Sequence, residues 1–501
     1  MKNKYRNDPE GFRLPIKMDS TTNGEYLPEP LPSHVRKTWK TAMTWATENA
    51  RRLGLGRREF LVSLGGAATC LLAMNRAGAA VGQTGGKFDL PEDAALDLQS
   101  AQASLGKKEF IFDIQTHHFD PPDNWKAPTD WSKLFRKIRE HAPCNILPNH
   151  PFGYMSCLDG QTFVREIFMD SDTDAAVLSF VPSMDTSMPL SYAEASATRQ
   201  IVNAMSDNKR LLLHGRVIPS IEGELERMDE VVEAWDIVAW KTYTQYGEDN
   251  ERGWWLNDDK FGRPFLEKVR ASGVKTICCH KGLPLPFPLM GLDNRQYRLC
   301  HDVGPAAREY SDIDFIIFHS GYDPNMPEGP FTPGSPQSGT DSLIQSVLDS
   351  GLGGGSNVYA ELGATWAKIM KEPDQAAHLI GKLLRYLGED NVLWGTDSLF
   401  YGSPQDQIQA FRTFQISEEF QEKFGYPKIT DDIRAKVFGL SSAKIYGIAP
   451  ENYARTETDP VTLAKGAYFD QRDPSFRTYG PKTRRDFFKL ASAKIRKLGS
   501  G

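Results

Sequence analysis

The chain has 501 residues, 40% of them hydrophobic and 25% charged, with a formal net charge of −6. A chain of this length holds one large domain or two ordinary ones, and its mild acidity, spread along the sequence, excludes nucleic acid as a general partner. Six cysteines without a CxxC pair make no disulfide framework. The neighbours Cys278 and Cys279 lie in an apolar run and read as buried free thiols.

Residues 1–80 read as a leader. Their first part is polar and proline-containing, with one helical stretch near 36–53. Gly56-Arg-Arg-Glu-Phe-Leu-Val62 is then followed by a charge-free run from Leu61 to Met74 and by Ala77-Gly78-Ala79, a small-residue cleavage site. This resembles a twin-arginine export signal and predicts a periplasmic or secreted protein. The run is shorter than the roughly 20 apolar residues that span a bilayer, so no stable membrane anchor is expected once the signal is removed. A buried helix is the alternative for the same residues. Residues 81–107 read as a linker.

Between 108 and 450 short β-branched runs alternate with longer amphipathic ones. Strands are predicted at 109–115, 174–182, 211–219, 236–243, 274–281, 314–319, 357–363 and 391–397, with helical patterns between them such as 190–206, 221–235, 341–350 and 374–387. Eight such repeats predict an α/β protein of the (β/α)8 TIM-barrel type; a doubly wound open sheet is the alternative. Segments leading into strands are short, as at 206–210, 271–273 and 388–390. Segments leaving strands are long, as at 119–130, 244–262, 283–296 and 320–340. Long connections tend to be functional, and barrels carry their sites where the strands end. Residues 119–173 would form part of a cover over that face. Residues 451–501 form a C-terminal extension. It contains a second arginine pair, Thr483-Arg-Arg-Asp-Phe-Phe-Lys489, with no apolar run after it, and a basic amphipathic helix from Arg484 to Lys497.

Of ten histidines, three fall where strands end: His117 after the first strand, His280 on the fifth and His319 on the sixth. Asp397 closes the eighth. Strand ends on one barrel face converge, and imidazole with carboxylate suits zinc and similar divalent ions. His214 sits mid-strand and reads as a satisfied core residue. Trp254, Trp255, Phe287, Phe331, Phe400 and Tyr401 on the strand-end side suggest an aromatic or apolar small-molecule substrate, although packing of the loops explains them nearly as well.

The pattern resembles the amidohydrolase superfamily, in the branch that contains aminocarboxymuconate-semialdehyde decarboxylase. The residues that carry the resemblance are Asp113-Ile-Gln115-Thr-His117, Cys279-His280-Lys-Gly282, Phe318-His319-Ser-Gly321, Gly395-Thr-Asp397 and the closing segment Gly439–Gly447. It covers the barrel, about two-thirds of the chain. Gln115 departs from the family's first metal-binding histidine, and Ser441 from the closing-segment asparagine. The resemblance implies a divalent metal ion, zinc by donor type, held by His117, His280 and Asp397 with Gln115 as a weak further ligand. His319 and Asp397 would be catalytic. Lys241, Glu361 and Tyr401 are candidate substrate contacts, while His118 lies one residue out of phase. Some superfamily members carboxylate a lysine at the position of Lys241, but a plain substrate-contacting or structural lysine is the favoured reading. The branch often forms homodimers. Three functions follow: a hydrolase acting on a C–N or C–O bond of a small cyclic or aromatic compound, a non-oxidative decarboxylase of an aromatic or unsaturated acid, and a catalytically inactive barrel serving as a binding subunit.

Overall fold

The computed structural model describes residues 5–107, 109–119, 157–181, 189–205, 208–247, 253–284, 295–334, 339–453, 459–469 and 472–488. Eight strands form its centre: β1 Phe112–Thr116, β2 Ala175–Leu178, β3 Leu211–Arg216, β4 Ala239–Tyr243, β5 Thr276–His280, β6 Asp314–Phe318, β7 Val358–Glu361 and β8 Val392–Leu393. Each overlaps its predicted window. They pair in parallel and in chain order. The ring closes where Ile114 N–H donates to the Trp394 carbonyl at 3.1 Å and Asp397 N–H to that of Gln115 at 2.9 Å, beside a parallel bridge from Thr116 to Ser398. Closure rules out the open sheet.

Alternation along each strand divides its side chains between two cores. Phe112, Ile114, Val177, Leu212, Cys278, Ile316, Phe318 and Leu393 fill the barrel. Their neighbours Ala176, Leu211, Leu213, Trp240, Ile277, Phe315, Ile317 and Val392 pack outward under the helices. This is the period of two that strands impose, with both faces buried as a parallel sheet requires. The predicted helices form at Tyr192–Asn203, Met228–Trp235, Thr340–Asp349 and Pro373–Tyr386. Ser191 starts the first of them with a capping box to Glu194.

The leader and linker fold onto this barrel. Helices α1 (Ser33–Arg52), α2 (Arg57–Val62) and α3 (Leu64–Ala79) form one helical layer, in which α1 packs against α3. The apolar run from Leu61 to Met74 lies mostly in α3, where Ala67, Ala68, Cys70, Leu71 and Ala73 are buried in the main core. The small residues proposed for cleavage are its last turn. Arg58 is 4% exposed, pairs with Asp473 at 3.0 Å and lies over the Phe476 ring at 4.7 Å. Breaking a buried pair of this kind costs about 3–5 kcal/mol. The expected linker holds a strand, Gly86–Phe88, antiparallel to Phe414–Ile416, and a helix, Leu98–Leu105. It is thus ordered structure, because its apolar side chains find partners on the barrel helices. In the C-terminal extension residues 484–488 are helical. The remainder of the expected tail helix, most of the expected cover and Phe287 lie outside the described residues.

Candidate active site

The closing contacts between β1 and β8 build the site. Asp113 is buried under the strand ends. Its carboxylate accepts from Thr396 Oγ1 at 2.5 Å, from Thr396 N–H at 3.1 Å and from Gln115 N–H at 3.2 Å. It therefore fixes the turn that presents Asp397. Burial pushes the Asp113 carboxyl up to about 7. The strand register shifts between Asp113 and Thr116, a bulge of the kind that re-aims side chains beside active sites. Beyond it both Gln115 and His117 reach Asp397.

His117, His280, His319 and Asp397 come together, as the strand-end argument requires. His117 Nδ1–H donates to the Ser179 carbonyl at 3.1 Å, His319 Nδ1–H to that of Gly363 at 2.8 Å, and His280 Nε2–H to that of Leu283 at 3.4 Å. A carbonyl only accepts, so in the neutral form of each ring the other nitrogen carries the lone pair. Those second nitrogens face carboxylates: His117 Nε2 lies 3.2 Å from Asp397 Oδ1, at ion-pair distance, and His280 Nδ1 lies 3.6 Å from Glu25 Oε1. His319 Nε2 is 3.9 Å from Glu25 Oε2. Burial holds His319 down at about 4 and His280 well below its ordinary value, so both rings are neutral at neutral pH.

The neutral rings of His280 and His319 thus present acceptors to the Glu25 carboxylate, an arrangement that suits a cation among them. The tethered outer nitrogens are the arrangement that metal-binding histidines show, because the tether fixes both tautomer and ring angle. The donor set therefore fits a divalent metal, with imidazole and carboxylate suiting zinc.

Gln115 lies between Asp397 and His319. Its amide nitrogen donates to Asp397 Oδ1 at 3.2 Å, while Oε1 turns away toward Gly363. The amide nitrogen orients Asp397, and Oε1 is buried without a hydrogen-bond partner among the described residues. Of the expected substrate contacts, Glu361 is fully buried and accepts from His319 N–H at 3.1 Å and Gly363 N–H at 2.6 Å. It thereby supports the backbone around His319, and burial pushes its carboxyl up to about 8. A Cβ on Gly395 would lie 1.7 Å from Glu361 Oε1, which accounts for glycine before Thr396-Asp397. Lys241 is fully buried, its Nζ 3.8 Å from the Phe318 ring centre and without a hydrogen-bond partner among the described residues. Desolvation lowers it to about 8. Tyr401 OH meets Tyr26 OH at 3.0 Å.

The glycines that follow two of the histidines have a shared cause. A Cβ on Gly282 would lie 2.4 Å from the Gly321 carbonyl carbon, so the His280 and His319 turns meet backbone to backbone. His319 (φ +66°), Ser320 (+54°) and Asp397 (+57°) sit in the left-handed region. Such strain, about 1–3 kcal/mol per residue, clusters at functional sites.

Other expectations divide. His214 is bonded at both nitrogens, to Ser179 Oγ at 3.0 Å and Tyr446 OH at 3.2 Å, as a core residue should be. His118 packs on Phe163. Phe400 lies against His117, and Trp254 donates to the Tyr243 carbonyl at 3.2 Å. Trp255 packs at a tilt against His301 and Phe331 edge-on against Tyr386, contacts within the loops and helices around the site.

Sequence reasoning missed Asn23 and Glu25. Asn23 Nδ2 donates to Asp397 Oδ2 at 2.7 Å and also bonds the Glu25 carboxylate. They stand about ninety residues before β1, in a stretch whose only local signal is the Asn23-Gly24 turn pair. Tyr243, stacked on His280 at 4.8 Å, was also missed.

A (β/α)8 barrel with histidines and a carboxylate converging at its strand ends defines a class of barrel enzymes. A family profile described as amidohydrolase matches residues 192–448, more than half of the chain. The protein belongs to the amidohydrolase family and is an enzyme, a hydrolase or a carboxy-lyase. The match starts after β2, so His117 and the leader lie outside it. A search of curated protein sequences finds no match. Among solved structures the chain is similar to 5-carboxyvanillate decarboxylase from Sphingomonas paucimobilis, with 14% identity, 68% of this chain and 99% of that one covered, and a TM-score of 0.40. It is similar to an amidohydrolase from Mycobacterium avium subsp. paratuberculosis at 13% identity, with 68% and 99% covered and a TM-score of 0.35. For dihydropyrimidinase from Brevibacillus agri the values are 13%, 68%, 72% and 0.33.

Proposed function

We propose that the protein is a metal-dependent hydrolase that directs water at a C–N or C–O bond of a small cyclic or aromatic compound. The observation that carries this reading is the set of three imidazoles, each tethered to a backbone carbonyl through one nitrogen and turned toward carboxylates with the other. His117, His280 and Asp397 would hold the ion. A divalent cation there, zinc by donor type, would lower the pKa of water from about 15.7 to near 7 and polarise a carbonyl. His319, kept neutral by burial, accepts the proton at Nε2, while the Gly363 carbonyl on Nδ1–H steadies the ring. Asp397 keeps its orientation through the amides of Gln115 and Asn23. Metal content of the purified full chain by mass spectrometry, followed by turnover of a panel of lactams, lactones and esters, tests the proposal. A chain that takes up no stoichiometric metal sinks it.

Non-oxidative decarboxylation is the second reading, favoured by Lys241. A buried ammonium without a hydrogen-bonding partner among the described residues suits the carboxylate of an acid substrate. Carbon dioxide release from aromatic acids separates the two reactions.

We also propose export by the twin-arginine route. Cys157 is disulfide-bonded, a state common in oxidising compartments. Cleavage after Ala79 would remove Asn23 and Glu25 from the site, so the exported enzyme would have to keep its leader. The intact mass of the chain recovered from the periplasm tests this.

A further inference from the structure

We infer that Glu25 is a metal ligand delivered from outside the barrel, on a tongue of the N-terminal segment that forms part of the centre. The inference rests on the metal-site reading above. Within the barrel Gln115 turns a donor toward the cluster, so His280 and His319 receive no carboxylate from β1. Glu25 supplies one. Its two oxygens face His280 Nδ1 at 3.6 Å and His319 Nε2 at 3.9 Å, and one ligand atom from each of the three residues lies within 4.8 Å of the others. Donors around a tetrahedral zinc with bonds of about 2.0–2.1 Å stand roughly 3.3–3.5 Å apart, so a small contraction brings Glu25 and His280 to bonding distance, with His319 beside them as the proton-handling residue. His280 has its proton on Nε2 and His319 on Nδ1, so neither contact is an N–H donating to the carboxylate.

The tongue is held for this task. Asn23 bridges Glu25 and Asp397 and sets the angle of both carboxylates. Thr22 N–H donates to the Pro481 carbonyl at 3.0 Å, and Thr21 Oγ1 meets Thr478 Oγ1 at 2.7 Å. Tyr26 OH meets Tyr401 OH, and Lys368 pairs with Glu29 at 2.8 Å. The C-terminal extension and the loop after β8 thus clamp the tongue over the strand ends. A segment anchored on both sides delivers its carboxylate with little remaining freedom, which favours ligation over transient contact.

The test is competition for Zn2+ between the full chain and a chromogenic chelator, for the wild type, Glu25→Gln, Glu25→Asp and His280→Ala. Unfolding of each metal-free variant is followed alongside. We expect Glu25→Gln to weaken Zn2+ binding by about tenfold or more, and the zinc-induced rise in Tm to shrink with it. Glu25→Asp keeps the charge on a shorter arm and should fall between. It decides the matter if Glu25→Gln fails to fold, because an affinity equal to wild type in folded Glu25→Asp overturns the inference. Equal or tighter binding by Glu25→Gln, with His280→Ala impaired, overturns the role of Glu25 and leaves the metal centre standing. Absence of Zn2+ binding by the wild type overturns both.

Discussion

The barrel holds histidines at two levels, and their hydrogen bonds differ in kind. Lower down, His214 is satisfied at both nitrogens by the hydroxyls of Ser179 and Tyr446. At the strand ends His117, His280 and His319 each satisfy one nitrogen on a backbone carbonyl and aim the other at carboxylates. All four rings are buried, so burial does not separate them. Their second partners do: the lower ring meets a hydroxyl at each nitrogen, and the upper three meet Asp397 or Glu25.

This contrast breaks if the two sets respond alike to mutation. The largest effect is expected at the upper level. His280→Ala or Asp397→Asn should lower kcat/KM, and the metal content with it, by more than the roughly 10–100-fold that loss of an outer hydrogen-bond partner costs. Steady-state kinetics and metal analysis on the same samples check this. A smaller effect of another type is expected below. His214→Phe leaves the hydroxyls of Ser179 and Tyr446 without their partner and should cost about 1–3 kcal/mol of stability in denaturant unfolding. Metal affinity should not change.

The smallest effect sharpens the comparison with a third kind of histidine. His378 lies among Phe420, Phe424 and Tyr426, and burial lowers it from 6.5 to about 4. Between those pH values the unfolded chain binds a proton that the folded chain refuses. Stability is therefore fully present above pH 6.5 and declines as pH falls toward 4, by at most about 1.4 kcal/mol per pH unit for one proton. Unfolding of the wild type and of His378→Gln across this window should show the shallower slope in the variant. Equal slopes would assign the acid sensitivity to other groups.

Much of the barrel was legible because its signals are local. Eight short runs with period-two or continuous apolar character can hardly be other than strands, and the long loops point to one face. The four clustered residues, His117, His280, His319 and Asp397, were legible because each lies at or just beyond a strand end. Gln115 was placed correctly in space, but its role depends on which end of a symmetric-looking amide meets Asp397. Glu361 and Lys241 are candidate substrate contacts by position, and only the tertiary structure shows that Glu361 is bonded to backbone and that Lys241 stands over Phe318. The run from Leu61 to Met74 has the composition of an export signal and of a buried helix alike.

The sequence by itself determined the repeat, the order of the strands and the chemistry at their ends, since periodicity and residue type act over a few neighbouring positions. Only the tertiary structure decided that Asn23 and Glu25 belong to the same centre as Asp397. That contact joins positions more than 370 residues apart through the docking of two chain extensions. No local pattern encodes it, because it depends on the summed packing of α1 to α3, the C-terminal segment and the barrel rather than on any stretch of sequence.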